Sequence, residues 1–159
     1  MCLLGLFVTV VATSSGCSTP RTASGTLAAG KQRVVELVLE AAHALPATVT
    51  FDPPTKVGTQ TCRKTVAGYV TVKTGAHRAE VPLIVRMPNE SPRAMLGVIE
   101  AAWKKAGYTL DRSRINETGF PQLRAHAPEG YDVVATAFTR PNSAHQIDLY
   151  AVSQCLRGT

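Results

Sequence analysis

The chain has 159 residues, a formal net charge of +6 and 45% hydrophobic residues. This length suits one domain with a sizeable core and is too short for two. The positive residues are scattered, with adjacent pairs only at Arg63–Lys64 and Lys104–Lys105, and no basic run is interleaved with aromatic residues. The composition therefore argues against a nucleic-acid-binding protein.

The N-terminal segment is an apolar run over 3–12 (LLGLFVTVVA), followed by Ser14, Ser15, Gly16 and Cys17. A run of about ten residues is too short for a membrane-spanning helix but suits the core of a signal peptide. We predict a lipoprotein signal peptide over 1–16 and lipidation of Cys17. Ser14 stands where such cleavage sites usually have an aliphatic residue. The alternatives are an uncleaved anchor or an ordinary buried strand or helix over this run.

This prediction places the protein at the cell membrane, lipid-anchored on the extracytoplasmic face. Residues 17–26 would form the lipidated cysteine and a flexible tether of small and polar residues, and 27–159 a single α+β domain. A basic protein held there would be attracted to anionic head groups.

Two of the four cysteines remain once Cys2 leaves with the signal peptide and Cys17 takes the lipid. Export exposes the remaining pair, Cys62 and Cys155, to an oxidising compartment, and we predict that they form a disulfide. The alternatives are two unrelated buried thiols, or a metal site, for which neither cysteine has ligand spacing.

The first element after the tether is an amphipathic helix that Pro46 ends. Its apolar residues recur at helical spacing: Val34, Val35, Val38, Ala41, Ala42 and Leu45. Three β-like segments follow, over 48–52, 68–73 and 80–86, separated by turn residues. Pro82 lacks a backbone donor, which predicts an edge or bulged position for the third strand.

A second helix is predicted after Ser91, which suits the N-cap, and Pro92, which suits the first helical position. Gly107 would end it. One face carries Met95, Ile99, Ala102, Trp103 and Ala106. We expect Trp103 to anchor the core, with stacking on a ligand as the alternative.

The remainder predicts an antiparallel meander of strands over 108–112, 122–127, 131–139 and 146–153. The predicted order is α-β-β-β-α-β-β-β(-β). We therefore expect the α+β class, an antiparallel sheet with two helices packed on one face. Cys62 would precede an early strand and Cys155 would follow the last.

In the order of these features the chain resembles the LppA-like lipoproteins of mycobacteria and related actinobacteria. The resemblance rests on Cys17, the polar linker, a helix closing at Leu45–Pro46, the strand Thr48–Asp52, Cys62, the segment Trp103–Tyr108, and Tyr131–Val133 before the last cysteine. It implies an exported α+β lipoprotein and transfers no catalytic residue.

No catalytic, cofactor-binding or metal-ligating motif occurs in the sequence. We therefore predict that the protein is not an enzyme and uses no cofactor. The histidines are dispersed, although His126 and Asp132 flank a turn and could face each other across a hairpin. The possible acidic contributors to a site assembled by the fold are Asp111, Glu117 and Asp148.

Three function classes remain. The first is a membrane-anchored binding or accessory module that presents a surface to an envelope protein. The second is a carrier of a lipid or other apolar ligand, which requires an apolar cavity of several hundred Å³, roughly, between sheet and helices. The third is an enzyme with a site built from distant residues.

Overall fold

The computed structural model describes residues 25–66, 70–87, 89–111, 120–138 and 145–157. The predicted signal peptide, Cys17 and most of the predicted tether lie outside the described residues. In chain order the elements are α1 (Leu27–His43), β1 (Thr50–Phe51), β2 (Gly58–Val66), β3 (Val70–Met87), α2 (Pro92–Lys105), β4 (Thr109–Asp111), β5 (Gln122–His126), β6 (Asp132–Phe138), β7 (His145–Val152) and β8 (Leu156–Arg157).

The strands form one antiparallel sheet in the order β1-β3-β7-β6-β5-β4, and β2 and β8 also pair with β3. Both helices pack on the sheet, α1 mainly over β3 and β7 and α2 mainly over β6 and β5. The α+β class and the predicted order of elements are confirmed. The predicted meander is confirmed as β4 to β7, each paired with the next.

One hydrophobic core fills the layer between helices and sheet. Helix α1 contributes Val34, Leu37 and Val38, and the facing strands contribute residues such as Leu83 and Ile147, all at most 3% exposed. Trp103 is 4% exposed and stacks on Tyr108, with ring centroids 6.1 Å apart, so its predicted place in the core is confirmed. No helix among the described residues is long and apolar enough to span a bilayer.

The ends of the helices follow local chemistry. Thr26, expected in the tether, caps α1: its Oγ1 accepts a hydrogen bond from the Ala29 N–H at 3.2 Å. Ser91 occupies the N-cap of α2 as predicted, but its side chain makes no capping hydrogen bond. Gly107 follows α2 with φ +82°, a left-handed conformation that favours glycine, so the predicted stop is confirmed.

The first half of the sheet differs from the prediction in several ways. The described part of the strand predicted over 68–73 and the strand predicted over 80–86 belong to one strand, β3, which continues through Gly75 at φ +74°. The strand β2 was missed. The strand predicted over 48–52 is only the two residues of β1. Cys62 consequently lies within β2 rather than before a strand, and Cys155 lies between β7 and β8 rather than after the last strand.

Pro82 lies in an interior strand, which corrects the predicted edge position. It is the Cα partner of Tyr150 in β7 on one side of β3. On the other side the β2 pairing ends at Glu80 and the β1 pairing begins at Val85. Pro82 therefore falls in a gap between two partner strands, where a residue without a backbone N–H is tolerated.

Candidate functional site

The most exposed part of the sheet is a hairpin made by β2 and the first half of β3, which we call the arm (residues 58–66 and 70–79). The two strands pair from Gly58↔Glu80 to Val66↔Val70. On its other side β3 gains a partner only from Ala76 onward, where β8 begins. In the described structure the outer arm is therefore a two-stranded ribbon, and neither helix contributes to it.

A groove of about 720 Å³ lies along the arm. It is lined by Thr59, Gln60, Thr61, Cys62, Arg63, Lys73, Arg78 and Cys155. Three of these side chains are cationic, and no carboxylate is among them. The remaining polar groups are hydroxyls and an amide, which can hydrogen-bond to an oxyanion.

The disulfide forms part of the groove wall. Cys62 and Cys155 are bonded, with Cα atoms 6.0 Å apart, which confirms the predicted pairing. Cys62 falls at an irregularity of the β2–β3 ladder between Thr61 and Arg63. There the Thr74 hydroxyl donates to the Cys62 carbonyl oxygen at 3.2 Å and accepts from the Ala76 N–H at 3.3 Å. The disulfide connects β2 to the segment between β7 and β8, and the Thr74 hydrogen bonds hold Cys62 against β3.

The cations of the groove have no acidic partners within the described part of the chain. Arg78 donates through Nε to Gln60 Oε1 at 2.6 Å, a neutral acceptor. None of the ion pairs there involves Arg63, Lys73 or Arg78. By contrast, Arg33 on α1 contacts Glu36, Glu40 and Glu129. Burial disfavours the charge of Arg33, but Glu40 and Glu129 outweigh it and raise the pKa of the guanidinium.

The first acidic residue beyond the arm, Glu80, does not line the groove. Its carboxylate accepts a hydrogen bond from the Tyr150 hydroxyl. Burial and this hydrogen bond raise the pKa of Tyr150 to about 12, so the phenol stays protonated at neutral pH and keeps donating to Glu80. The groove thus retains its unbalanced positive charge.

The distribution of charge along the sequence indicates this site. Adjacent basic pairs alone do not reveal it, because the positive residues of the segment are scattered. No Asp or Glu occurs between Asp52 and Glu80, whereas five Lys or Arg residues lie in 53–79. Elsewhere twelve positive residues nearly balance eleven negative ones, so most of the net charge of +6 comes from this segment. The folding of the segment into a hairpin concentrates the charge on the arm.

The residues considered for catalysis are not assembled into a site. His126 Nδ1 lies 2.5 Å from Asp132 Oδ1, so the two do face each other across the β5–β6 hairpin, but both side chains are about half exposed. Asp111 in β4 and Asp148 in β7 are separated by β5 and β6 in the sheet. Glu117 lies outside the described residues. Among the described residues no group of three or more His, Cys, Asp or Glu is placed to hold a metal.

Sequence comparisons give no relatives for this arrangement: no protein-family model matches the chain, and no curated protein is significantly similar to it.

Proposed function

We propose that this protein is a membrane-anchored envelope lipoprotein, related to the LppA-like lipoproteins, that acts as a binding module. Its binding surface is the basic groove of the arm, and its ligand is an anionic group, phosphate or carboxylate, on an envelope partner. The observation that carries the proposal is the groove's lining of three cations without a carboxylate.

The anchor is proposed from the sequence. The apolar run over 3–12 and Cys17 behind small residues suit a lipoprotein signal, and a lipid anchor with more than one acyl chain holds a protein stably at a membrane. Thr26, the N-cap of α1, stands only nine residues after Cys17 in the sequence. A flexible segment of that length spans about 15 to 18 Å on average, which keeps the groove near the bilayer.

The packing of the core supports a module rather than a carrier. A carrier needs an apolar cavity between sheet and helices, but side chains that are almost fully buried, such as Leu37, Met87 and Leu149, fill that layer. The cavity of about 720 Å³ lies instead on the arm and has a polar, cationic lining. Such a lining favours a charged ligand over an apolar one.

The anchor is tested by cell fractionation. Cys17→Ala in the native host should release the protein from the membrane to the soluble fraction, because the acyl chains are lost. Continued sedimentation with membranes would contradict the lipid anchor.

The groove is tested by calorimetric titration of the full chain carrying Cys17→Ala with inorganic pyrophosphate. We expect binding that weakens with added salt, since the attraction is between charges. Lys73→Gln should weaken it severalfold. Lys105→Gln is the matched control, because it removes the same charge from the exposed end of α2. Equal loss in both variants would mean attraction to net charge alone and would contradict a groove site.

A further inference from the structure

We propose that the end of the arm docks onto an anionic lipid bilayer, a second binding surface distinct from the groove. The end of the arm carries three exposed aliphatic side chains: Val66 and Val70 are each 45% exposed and Val72 is 42% exposed. In a two-stranded ribbon these valine side chains have no hydrophobic core to pack against. Exposed aliphatic side chains grouped at one place indicate a contact surface.

The ladder register places these valines on one face of the ribbon. Val66 pairs with Val70, and two residues further along the ladder Lys64 pairs with Val72. Cα partners and residues two apart along a strand share a face. The opposite face carries the partners Arg63 and Lys73, which line the groove. The arm is therefore amphipathic near its end, with Arg63 and Lys73 on one face and the valines with Lys64 on the other.

The spacing along the arm matches the layers of a bilayer surface. Three residues of strand separate Val66 from Arg63, and Val70 from Lys73, which is about 10 Å. The head-group region on each side of a bilayer is roughly 5 to 8 Å thick. If Val66 and Val70 reach the edge of the hydrocarbon, Lys64 lies about 7 Å further out, within the head-group region, and Arg63 and Lys73 lie at its outer boundary.

Charge decides between the candidate occupants of this surface. The arm holds Arg63, Lys64 and Lys73 and no acidic residue. A second copy of the chain would bring its own cationic arm against these charges, and such pairing is repulsive. An anionic bilayer is complementary to both the charges and the valines. This inference rests on the proposed location of the protein at a membrane.

The test is a tryptophan reporter in the full chain carrying Cys17→Ser, so that no acyl anchor contributes. Val72→Trp reports the environment of the arm, whereas the native Trp103 is 4% exposed and is common to all variants. Vesicles of phosphatidylglycerol with brominated acyl chains should shift its emission to shorter wavelength and quench it. Neutral phosphatidylcholine vesicles should do neither, and salt should reverse the effect. Val70→Trp is the second reporter if Val72→Trp misfolds.

Two further variants make the result specific. Ile84→Trp is the matched control, because Ile84 is also 45% exposed but has Asp148 as its cross-strand partner. It should stay unquenched, and it distinguishes arm docking from contacts made by the apolar segment 3–12. Adding Lys64→Gln to Val72→Trp should weaken partitioning roughly fivefold, since one cation near the surface is lost.

Equal quenching at Val72 and Ile84, or equal quenching by neutral and anionic vesicles, would overturn the inference. So would the absence of quenching at both Val72 and Val70 in a folded protein. None of these outcomes bears on the groove, which pyrophosphate titration tests, or on the lipid anchor, which fractionation tests.

Discussion

Arg63 and Lys73 are direct Cα partners in the β2–β3 ladder, so two positive side chains stand next to each other across the arm. Like charges in directly opposed positions destabilise a strand pair. In the described structure neither side chain has an acidic partner to offset the repulsion. The pair therefore opposes folding of the arm, and an anion bound between the two charges would relieve the repulsion.

Lys73→Glu should stabilise the protein while it removes ligand binding. The substitution replaces a repulsive cross-strand pair with an attractive one, which is worth about 0.2 to 1 kcal/mol. Urea unfolding should show this gain, and pyrophosphate titration should show loss of binding. Lys73→Gln, which removes only the repulsion, should give an intermediate gain in stability. A Lys73→Glu protein that is less stable and still binds pyrophosphate would contradict this account.

Two glycines in the helices should respond oppositely to alanine. A methyl group added at Gly30 in α1 would overlap Leu156 Cδ1, and Leu156 is only 1% exposed, so it has little room to move. We expect Gly30→Ala to destabilise the fold by about 1 to 3 kcal/mol. Gly97 in α2 has open space at the same position. Gly97→Ala should stabilise by roughly 0.5 to 1 kcal/mol, because alanine favours a helix interior.

Thermal or urea unfolding of the two variants checks this pair. A stabilised Gly30→Ala protein would show that α1 does not approach β8 as closely as the structure has it. The comparison is informative because both changes raise helix propensity equally, and only the contact with Leu156 differs.

Both helices and the meander of β4 to β7 were largely predictable, because apolar periodicity and turn residues mark where these elements begin and end. The arm was not. Strand β2 (GTQTCRKTV) is exposed at nearly every position, so it lacks the alternation of buried and exposed residues by which a half-buried strand is recognised. In β3, Gly75 resembled the end of a strand, and only the pairing with β2 and β8 shows that the chain continues through it.

The candidate site depended on the arm and was missed for the same reason. Arg63 and Lys73 are ten residues apart in sequence and become neighbours only through the hairpin register. The contact of Arg33 with Glu129, 96 residues away, is equally invisible in the sequence. By contrast, the pairing of Cys62 with Cys155 could be predicted from the expected export and the number of cysteines, which are chemical arguments that need no knowledge of the register.

Stability should fall as the pH rises from about 10 to about 12. Tyr150 and Tyr108 each have a pKa raised to about 12 in the folded protein, by burial first and then by Glu80 and Glu40 respectively. Their pKa in the unfolded chain is about 10. The folded state therefore holds more protons between these values, and the stabilisation present below pH 10 is lost as the pH rises through 12. Urea unfolding at a series of pH values measures this loss.

Tyr150→Phe is the control for that pH dependence. It removes the hydrogen bond to Glu80 and one of the groups that titrate in this range, so the fall in stability between pH 10 and 12 should be smaller. If the free energy of unfolding falls with pH as steeply as in the parent, Tyr150 ionises equally easily in the folded and unfolded states, contrary to its contact with Glu80.

The disulfide should supply much of the stability of the domain and also shape the groove. Cys62 and Cys155 are 93 residues apart, and closing a loop of that length restricts the unfolded chain by about 4 to 5 kcal/mol, an upper figure for the stabilisation. The double variant Cys62→Ser/Cys155→Ser should lose free energy of unfolding approaching this value. It should also bind pyrophosphate less tightly, because both residues line the groove and the bond connects β2 to the end of β7. Reduction of the unmodified protein should reproduce both effects. A double variant as stable as the parent would contradict the stabilising role of the disulfide. A double variant that binds pyrophosphate equally well would show that the disulfide does not shape the groove.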